Sequence, residues 1–138
     1  MSNLGRLFVS KAMLAGMLLA LPAPALAFDL TGAWASSVDQ CGKVFKKNKN
    51  QTTFTQDSDV YGAGFIADAN QLRGRNAKCT IKSRKEAGDT LHLLAGCASD
   101  IMLQNVQFSL READANTVIR IFPGMGDMEI KYARCPAP

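Results

Sequence analysis

The chain has 138 residues, with 16 basic and 12 acidic side chains, four cysteines and one histidine. This length allows one domain with a modest core. The net charge is +4, but the clusters of basic residues contain no interleaved aromatic residues, which argues against a nucleic-acid-binding protein. The cysteine and histidine spacings match no zinc-binding pattern, so no metal or cofactor site is predicted.

Residues 1–27 have the pattern of a cleaved export signal. Arg6 and Lys11 give a positive start, residues 12–21 are apolar, and Ala-Leu-Ala stands directly before the expected cleavage point. The apolar stretch is shorter than the roughly 20 residues of a membrane-spanning helix, so no transmembrane anchor is expected. The mature protein is then residues 28–138, a single domain in the periplasm or outside the cell. Sixteen basic residues, less the two removed and twelve acidic ones, leave a net charge of +2.

The first half of the mature chain reads as short strands between polar turns, because apolar residues alternate with polar ones. A first strand is predicted over residues 30–36. Two strand pairs are predicted next. In the first, residues 43–45 and 52–56 flank a turn at 46–50. In the second, residues 64–67 and 71–76 flank a turn at 68–70.

A β-hairpin is predicted around the turn at residues 86–89. On its first strand Cys79, Ile81 and Ser83 share one face, and on its second strand residues 91, 93, 95 and 97 share one face. If the turn centres on Gly88, Cys79 and Cys97 lie opposite each other, and a cross-strand disulfide can form.

The remaining chain continues the same pattern. A third hairpin pairs residues 106–110 with 118–122, and residues 128–133 form the last strand. Residues 100–104 read as a short helical turn or as part of a longer strand. The fold predicted is all-β: an antiparallel up-and-down meander of about eight strands that closes into a small barrel and so removes its edges.

All four cysteines fall in the mature chain, and an even number in a short exported domain predicts two disulfides. The cysteines are Cys41, Cys79, Cys97 and Cys135. Besides a Cys79–Cys97 bond, which leaves Cys41–Cys135, two other pairings stay open. These are Cys41–Cys79 with Cys97–Cys135, and Cys41–Cys97 with Cys79–Cys135.

The start of the mature chain carries a short motif, Leu-Thr-Gly-Ala-Trp, with Gly32 and Trp34 at its end. It resembles the Gly-x-Trp opening strand of the calycin group, which includes lipocalins, avidins and bacterial lipocalin-like inhibitors of secreted metalloproteases. The resemblance implies that Gly32 lets the strand bend at the closed end of a barrel and that Trp34 plugs that end. The inhibitors are nearest in size, which implies inhibition of a hydrolase.

Catalytic groups are not apparent in the pattern. His92 is the only histidine; it lies on the strand face opposite Leu91 and Leu93, and no Gly-x-Ser-x-Gly turn presents a nucleophile to it. We therefore expect a non-enzymatic protein, with no role assigned to His92.

Two glycine-containing loops are the candidate contact surfaces, because such loops carry binding residues on rigid scaffolds. We expect them at one rim of the barrel. The candidate residues are Tyr61, Gly62, Gly64, Pro123, Gly124, Met125 and Met128.

These features predict a non-catalytic exported binding module that engages a protein of the envelope or extracellular space, with hydrolase inhibition as one form of that role. The alternatives are a carrier of a small apolar ligand in the barrel interior and a passive structural protein of the envelope. The carrier needs an unfilled interior. Its expected lining residues are Ile66, Leu72, Ile81, Leu93, Phe108 and Ile121.

Overall fold

The computed structural model describes residues 28–137, so the predicted signal sequence lies outside the described residues. Ten strands form: β1 Gly32–Ala35, β2 Phe45–Asn48, β3 Gln51–Phe54, β4 Gly64–Ala67, β5 Gln71–Arg73, β6 Ala77–Ala87, β7 Thr90–Ser99, β8 Leu103–Asp114, β9 Thr117–Ile121 and β10 Glu129–Arg134. One short helix, α1 Cys41–Val44, and two 3₁₀ turns, Val38–Gln40 and Ser58–Tyr61, lie between strands. No helix within residues 28–137 is long and apolar enough to cross a membrane.

Eight of the strands form a closed antiparallel barrel in the order β1-β10-β9-β8-β7-β6-β5-β4, with β4 pairing back to β1. The predicted all-β barrel is therefore confirmed. Strands β2 and β3 form a separate hairpin in the long connection between β1 and β4. Sequential strands pair with their neighbours in the barrel except across this connection, as a meander requires.

The inward-facing side chains of alternate strand positions make the main core. It is built around Trp34 and around Leu91 and Leu93 of β7, which are almost completely buried. The predicted shared face of residues 91, 93, 95 and 97 is confirmed, because all four are buried. This period-two burial is the pattern of a sheet with one face on a core.

A second, smaller core lies on the outer side of the barrel wall. Ala33, Ala35 and Ile66 belong to it, and α1 and β2 cover them with Val44 and Phe45. Since Ile66 pairs with Ala33 across β4 and β1, both side chains point away from the interior. Ile66 was wrongly predicted to line the interior, because the connection between β1 and β4 covers that part of the wall.

Both disulfides form, as Cys41–Cys135 and Cys79–Cys97. The first joins α1 to the residue that follows β10 and holds the connection against the wall. The second links β6 to β7 within the main core. The prediction of two disulfides is confirmed. Of the three pairings left open, the structure contains Cys79–Cys97 with Cys41–Cys135.

Several local predictions differ from the structure in detail. Residues 43 and 44 of the strand predicted over 43–45 belong to α1, and β2 continues to Asn48, so the turn is shorter than 46–50. The strand predicted over 71–76 ends at Arg73. Of the segment predicted over 100–104, residues 100–102 connect β7 to β8, with the Ser99 amide donating to the Met102 carbonyl at 3.0 Å, and residues 103–104 belong to the long strand β8. A bulge between Ile81 and Ser83 turns Ser83 to the outer face, where it pairs with Leu94.

Candidate ligand-binding site

One end of the barrel, here called the closed end, is sealed by Trp34. The indole is fully buried, and its Nε1 donates to the Leu30 carbonyl at 2.8 Å. The Arg134 guanidinium lies 4.3 Å from the centre of the Trp34 ring. Gly32 has φ +126°, and a Cβ there would sit 3.4 Å from the Arg134 guanidinium. A glycine therefore suits both the backbone conformation and the close approach.

Arg134 also fastens three backbone segments at the closed end. Its Nη1 donates to the Thr31 carbonyl at 2.5 Å, and its Nη2 donates to the Asp29 carbonyl at 2.6 Å. Its Nε donates to the Ala115 carbonyl at 3.1 Å. Hydrogen bonds from a charged donor are stronger than neutral ones, so Arg134 ties the start of the barrel to its last strand and to the β8–β9 turn.

The opposite end, here called the open end, leads into a cavity of ≈ 210 Å³ inside the barrel. The lining is mostly apolar. It consists of Gly64, Phe65, Leu72, Gly74, Ala77, Cys79, Phe108, Leu110, Arg120 and Tyr132. Gly64, Gly74 and Ala77 stand where β4 begins, β5 has ended and β6 begins, which is the end of the barrel away from the Trp34 plug.

Two of the residues predicted for the interior, Leu72 and Phe108, line this cavity. Ile81 and Leu93 instead pack in the main core. Ile121 pairs with Ser109 and Glu129, on the outer face that alternates with Arg120, so its predicted place in the interior was wrong.

Arg120 is the charged group of the cavity wall. Its guanidinium lies 4.7 Å from the ring centre of Phe108 and 4.6 Å from that of Phe122, so two aromatic rings flank it. Among residues 28–137, the ion pairs are formed by Arg75, Arg84 and Arg111, and none involves Arg120. Arg120 is half-buried, and the flanking rings attract its charge, but no carboxylate of the described chain forms an ion pair with it.

Tyr132 is the second polar group of the cavity wall. Its side chain is buried and packs edge-on against Phe65, with ring centres 5.0 Å apart. Burial raises the pKa of Tyr132 above its ordinary value, and the neighbouring Arg120 guanidinium offsets part of that rise. The phenol is therefore neutral at physiological pH and able to donate a hydrogen bond.

Sequence reasoning missed Arg120, Tyr132 and Arg134, although one signal was present. In the predicted strand over residues 118–122, the period of two puts Arg120 on the same side as Val118 and Phe122. Val118 is completely buried. A cation in the middle of an apolar strand face therefore indicates either a buried ion pair or a ligand contact.

The two predicted contact loops both lie at the open end. Residues 61–63 lead into β4 and residues 122–128 join β9 to β10, so the antiparallel order puts them on the same side of the barrel. Tyr61, Met125 and Met128 are exposed, whereas Gly64 lines the cavity. The remaining predicted residues, Gly62, Pro123 and Gly124, are exposed within these loops.

A third loop at the open end was not predicted as a contact surface. Ile101, between β7 and β8, and Leu103, the first residue of β8, are 88% and 84% exposed. In addition, β8 pairs with β7 from Leu103 to Arg111 but with β9 only from Ser109 onward. Within the described chain, residues 103–108 therefore have a strand on one side only.

His92 lies on the outer wall and accepts or donates a hydrogen bond through Nδ1 to the Ser109 hydroxyl, at 3.0 Å. Ser109 is only 2% exposed, so its oxygen is not presented to a substrate. The His92–Ser109 hydrogen bond therefore connects β7 and β8 in the barrel wall. Within residues 28–137, no group of three or more His, Cys, Asp or Glu side chains is arranged to hold a metal ion.

Comparison of the chain with protein-family models, with curated proteins and with solved structures finds no match. The closed eight-stranded antiparallel barrel is compatible with a calycin-like fold.

Proposed function

We propose that this protein is a non-catalytic binding protein that takes a small, mostly apolar molecule into the open end of its barrel. The cavity of ≈ 210 Å³ is the observation that carries the proposal. An apolar protein cavity of about 150 Å³ is large enough to bind benzene. The space in this barrel therefore suits a ligand somewhat larger than one aromatic ring.

The shape of the site supports the same function. The closed end is sealed by Trp34 and Arg134, so a ligand has one way in and a defined depth. Phe65, Leu72 and Phe108 provide apolar walls, and few polar groups interrupt them, as is usual in small-molecule sites. The Gly32 and Trp34 motif at the closed end also supports a place in the calycin group, which includes carriers. Two disulfides and the leader-like sequence support an exported protein.

The test is direct binding of indole to purified mature protein, residues 28–138, by calorimetry. Ala77 lines the cavity near its mouth, so Ala77→Phe should fill it and abolish binding. Ala98→Phe is the matched control because Ala98 is exposed, on the face of β7 that alternates with the buried Cys97. Binding by the wild type and the control but not by Ala77→Phe supports the proposal. Absence of binding by the wild type, or equal binding by all three proteins, contradicts it.

A second candidate function is binding of a protein partner, of which hydrolase inhibition is one form. The observation that favours it is the one-sided strand pairing of residues 103–108 beside the exposed Ile101 and Leu103. These eight positions, 101–108, contain no charged residue, and charges are a common protection of free strand edges. Such an edge can accept an added strand from a partner.

Capture of a stoichiometric companion from the native envelope extract by the mature protein tests this second function. Leu103→Lys should prevent capture, because a lysine at a strand edge opposes pairing. Lys131→Gln, on the exposed outer side of β10, is the control and should retain the companion. An absence of any companion, or its retention by Leu103→Lys, contradicts the partner function and leaves a passive envelope role as the alternative.

A further inference from the structure

The unpaired charge of Arg120 gives the proposed ligand a chemical class. We propose that the cavity binds a small carboxylate with an apolar body, and that the carboxylate pairs with the Arg120 guanidinium. This inference rests on the proposed function, because it assumes that the cavity holds a ligand.

The first argument is the balance of charge inside the barrel. A cation in apolar surroundings is unfavourable unless it is paired. Arg84 pairs with Glu86 at 3.1 Å, and Arg134 is engaged by backbone carbonyls. Glu112 also faces inward, because it pairs across the sheet with Val118, but it forms no ion pair with Arg120. Arg120 is thus a half-buried, inward-facing arginine that forms no ion pair within residues 28–137.

The second argument is the position of the guanidinium. Arg120 pairs with Leu110 in the middle of the wall, whereas Phe108 and Phe122 lie on the open-end side of that level. Because the guanidinium stands between these two rings, it reaches toward the mouth of the cavity. A ligand can therefore keep its charged group near the mouth while its apolar body contacts Leu72, deeper in the barrel.

The third argument is the donor set. A guanidinium offers two parallel N–H groups that match the two oxygens of a carboxylate. Tyr132 lines the same cavity, and its buried, neutral hydroxyl can donate to the same anion. No acidic side chain is among the lining residues, so an anion meets no like charge there.

The size of the cavity limits the apolar body. With ≈ 210 Å³, and with benzene bound in a cavity of about 150 Å³, one aromatic ring with a short acidic side chain fits. Phenylacetate is such a molecule. Phenylacetamide has nearly the same shape without the charge, so the two compounds isolate the contribution of the anion.

The experiment measures the affinity of the mature protein for both compounds by calorimetry at neutral pH and low salt. We expect phenylacetate to bind about tenfold to a hundredfold more tightly than phenylacetamide, the range for hydrogen bonds to a charged group. Arg120→Met keeps an unbranched side chain between the rings and should remove this preference while retaining phenylacetamide binding. Lys131→Gln removes the same charge from the outer wall and should leave the preference unchanged.

The outcomes separate the two proposals. Equal affinity of the wild type for both compounds overturns the anion inference and leaves the cavity function standing. If neither compound nor indole binds, both proposals fail. If Arg120→Met loses both ligands while its melting temperature matches the wild type, Arg120 shapes the cavity rather than selecting the charge, and the inference is also overturned.

Discussion

The two disulfides should differ in how much they stabilise the protein, and the difference follows from the chain lengths they enclose. Cys41–Cys135 joins residues 94 apart, whereas Cys79–Cys97 joins residues 18 apart. A cross-link stabilises a fold chiefly by restricting the unfolded chain, and the restriction grows with the enclosed length. We therefore compare the double variants Cys41→Ala/Cys135→Ala and Cys79→Ala/Cys97→Ala.

The chain-entropy relation gives the expected magnitudes. Loss of the cross-link with a separation of 94 should lower the free energy of unfolding by about 4.7 kcal/mol, and loss of the one with a separation of 18 by about 3.2 kcal/mol. Cys79–Cys97 is buried in the main core, whereas Cys41–Cys135 is partly buried at the second core, so these magnitudes cover loop entropy alone and leave out packing. The expected difference is then about 1.5 kcal/mol, with the larger loss for the long loop.

Urea unfolding of the oxidised mature proteins, followed by far-ultraviolet circular dichroism, measures the free energy of unfolding and the denaturant slope. The variant lacking Cys41–Cys135 should show the lower free energy of unfolding and the larger increase in the denaturant slope, because its unfolded chain expands more. If the variant lacking Cys79–Cys97 is destabilised as much or more, packing of that bond in the main core outweighs loop entropy, and the reasoning is refuted.

Three further outcomes are expected. Arg134→Met should lower the free energy of unfolding by about 2–4 kcal/mol through loss of its charged hydrogen bonds. Arg120→Met should lower it by less, about 1 kcal/mol, because it loses ring contacts and its interaction with the Tyr132 hydroxyl. Urea titration that ranks the two variants the other way contradicts this assignment. In Tyr61→Phe, the absorbance titration reports Tyr132 alone, and its midpoint should lie above 10.0. Because the unfolded chain then releases that proton at a lower pH than the folded chain, stability falls as the pH rises beyond 10.0; a midpoint at or below that value is inconsistent with burial of the phenol. Gly64→Ala should cost about 1–3 kcal/mol by thermal melting, since its Cβ would sit 2.9 Å from a backbone carbonyl oxygen of β1, and an unchanged melting temperature would show that the wall yields there.

The Cys79–Cys97 bond shows how far strand patterns carry a prediction. The hairpin turn consists of Gly88 and the next residue, since Ala87 pairs with Thr90. Continued without interruption, that register would place Cys79 opposite Ala98. The bulge between Ile81 and Ser83 shifts the register by one residue and brings the two cysteines together. Centring the turn on Gly88 gave the right pair, but the bulge that produces it has no clear sequence signal.

The faces of the strands were harder to assign than the strands themselves. The period of two separates the two faces of β4 but does not say which one is inside. In this barrel both faces of β1 and β4 are apolar, because the connection that carries α1, β2 and β3 covers the outer one. Ile66 was therefore placed on the wrong side. The Cys41–Cys135 bond depends on the same covering connection. The path of that connection is set by tertiary packing and not by the local strand pattern.

Among residues 28–137, three arginines occupy inward-facing strand positions: Arg84 and Arg134 toward the closed end and Arg120 toward the open end. Arg84 is paired with Glu86, and Arg134 donates to backbone carbonyls at the closed end, so both charges have partners within the chain. Arg120 is flanked by rings but carries no counter-charge near the open end. Its ring contacts stabilise the fold by only about 1 kcal/mol. Stability alone therefore gives no reason for an arginine at position 120, whereas recognition of an anion entering the cavity does.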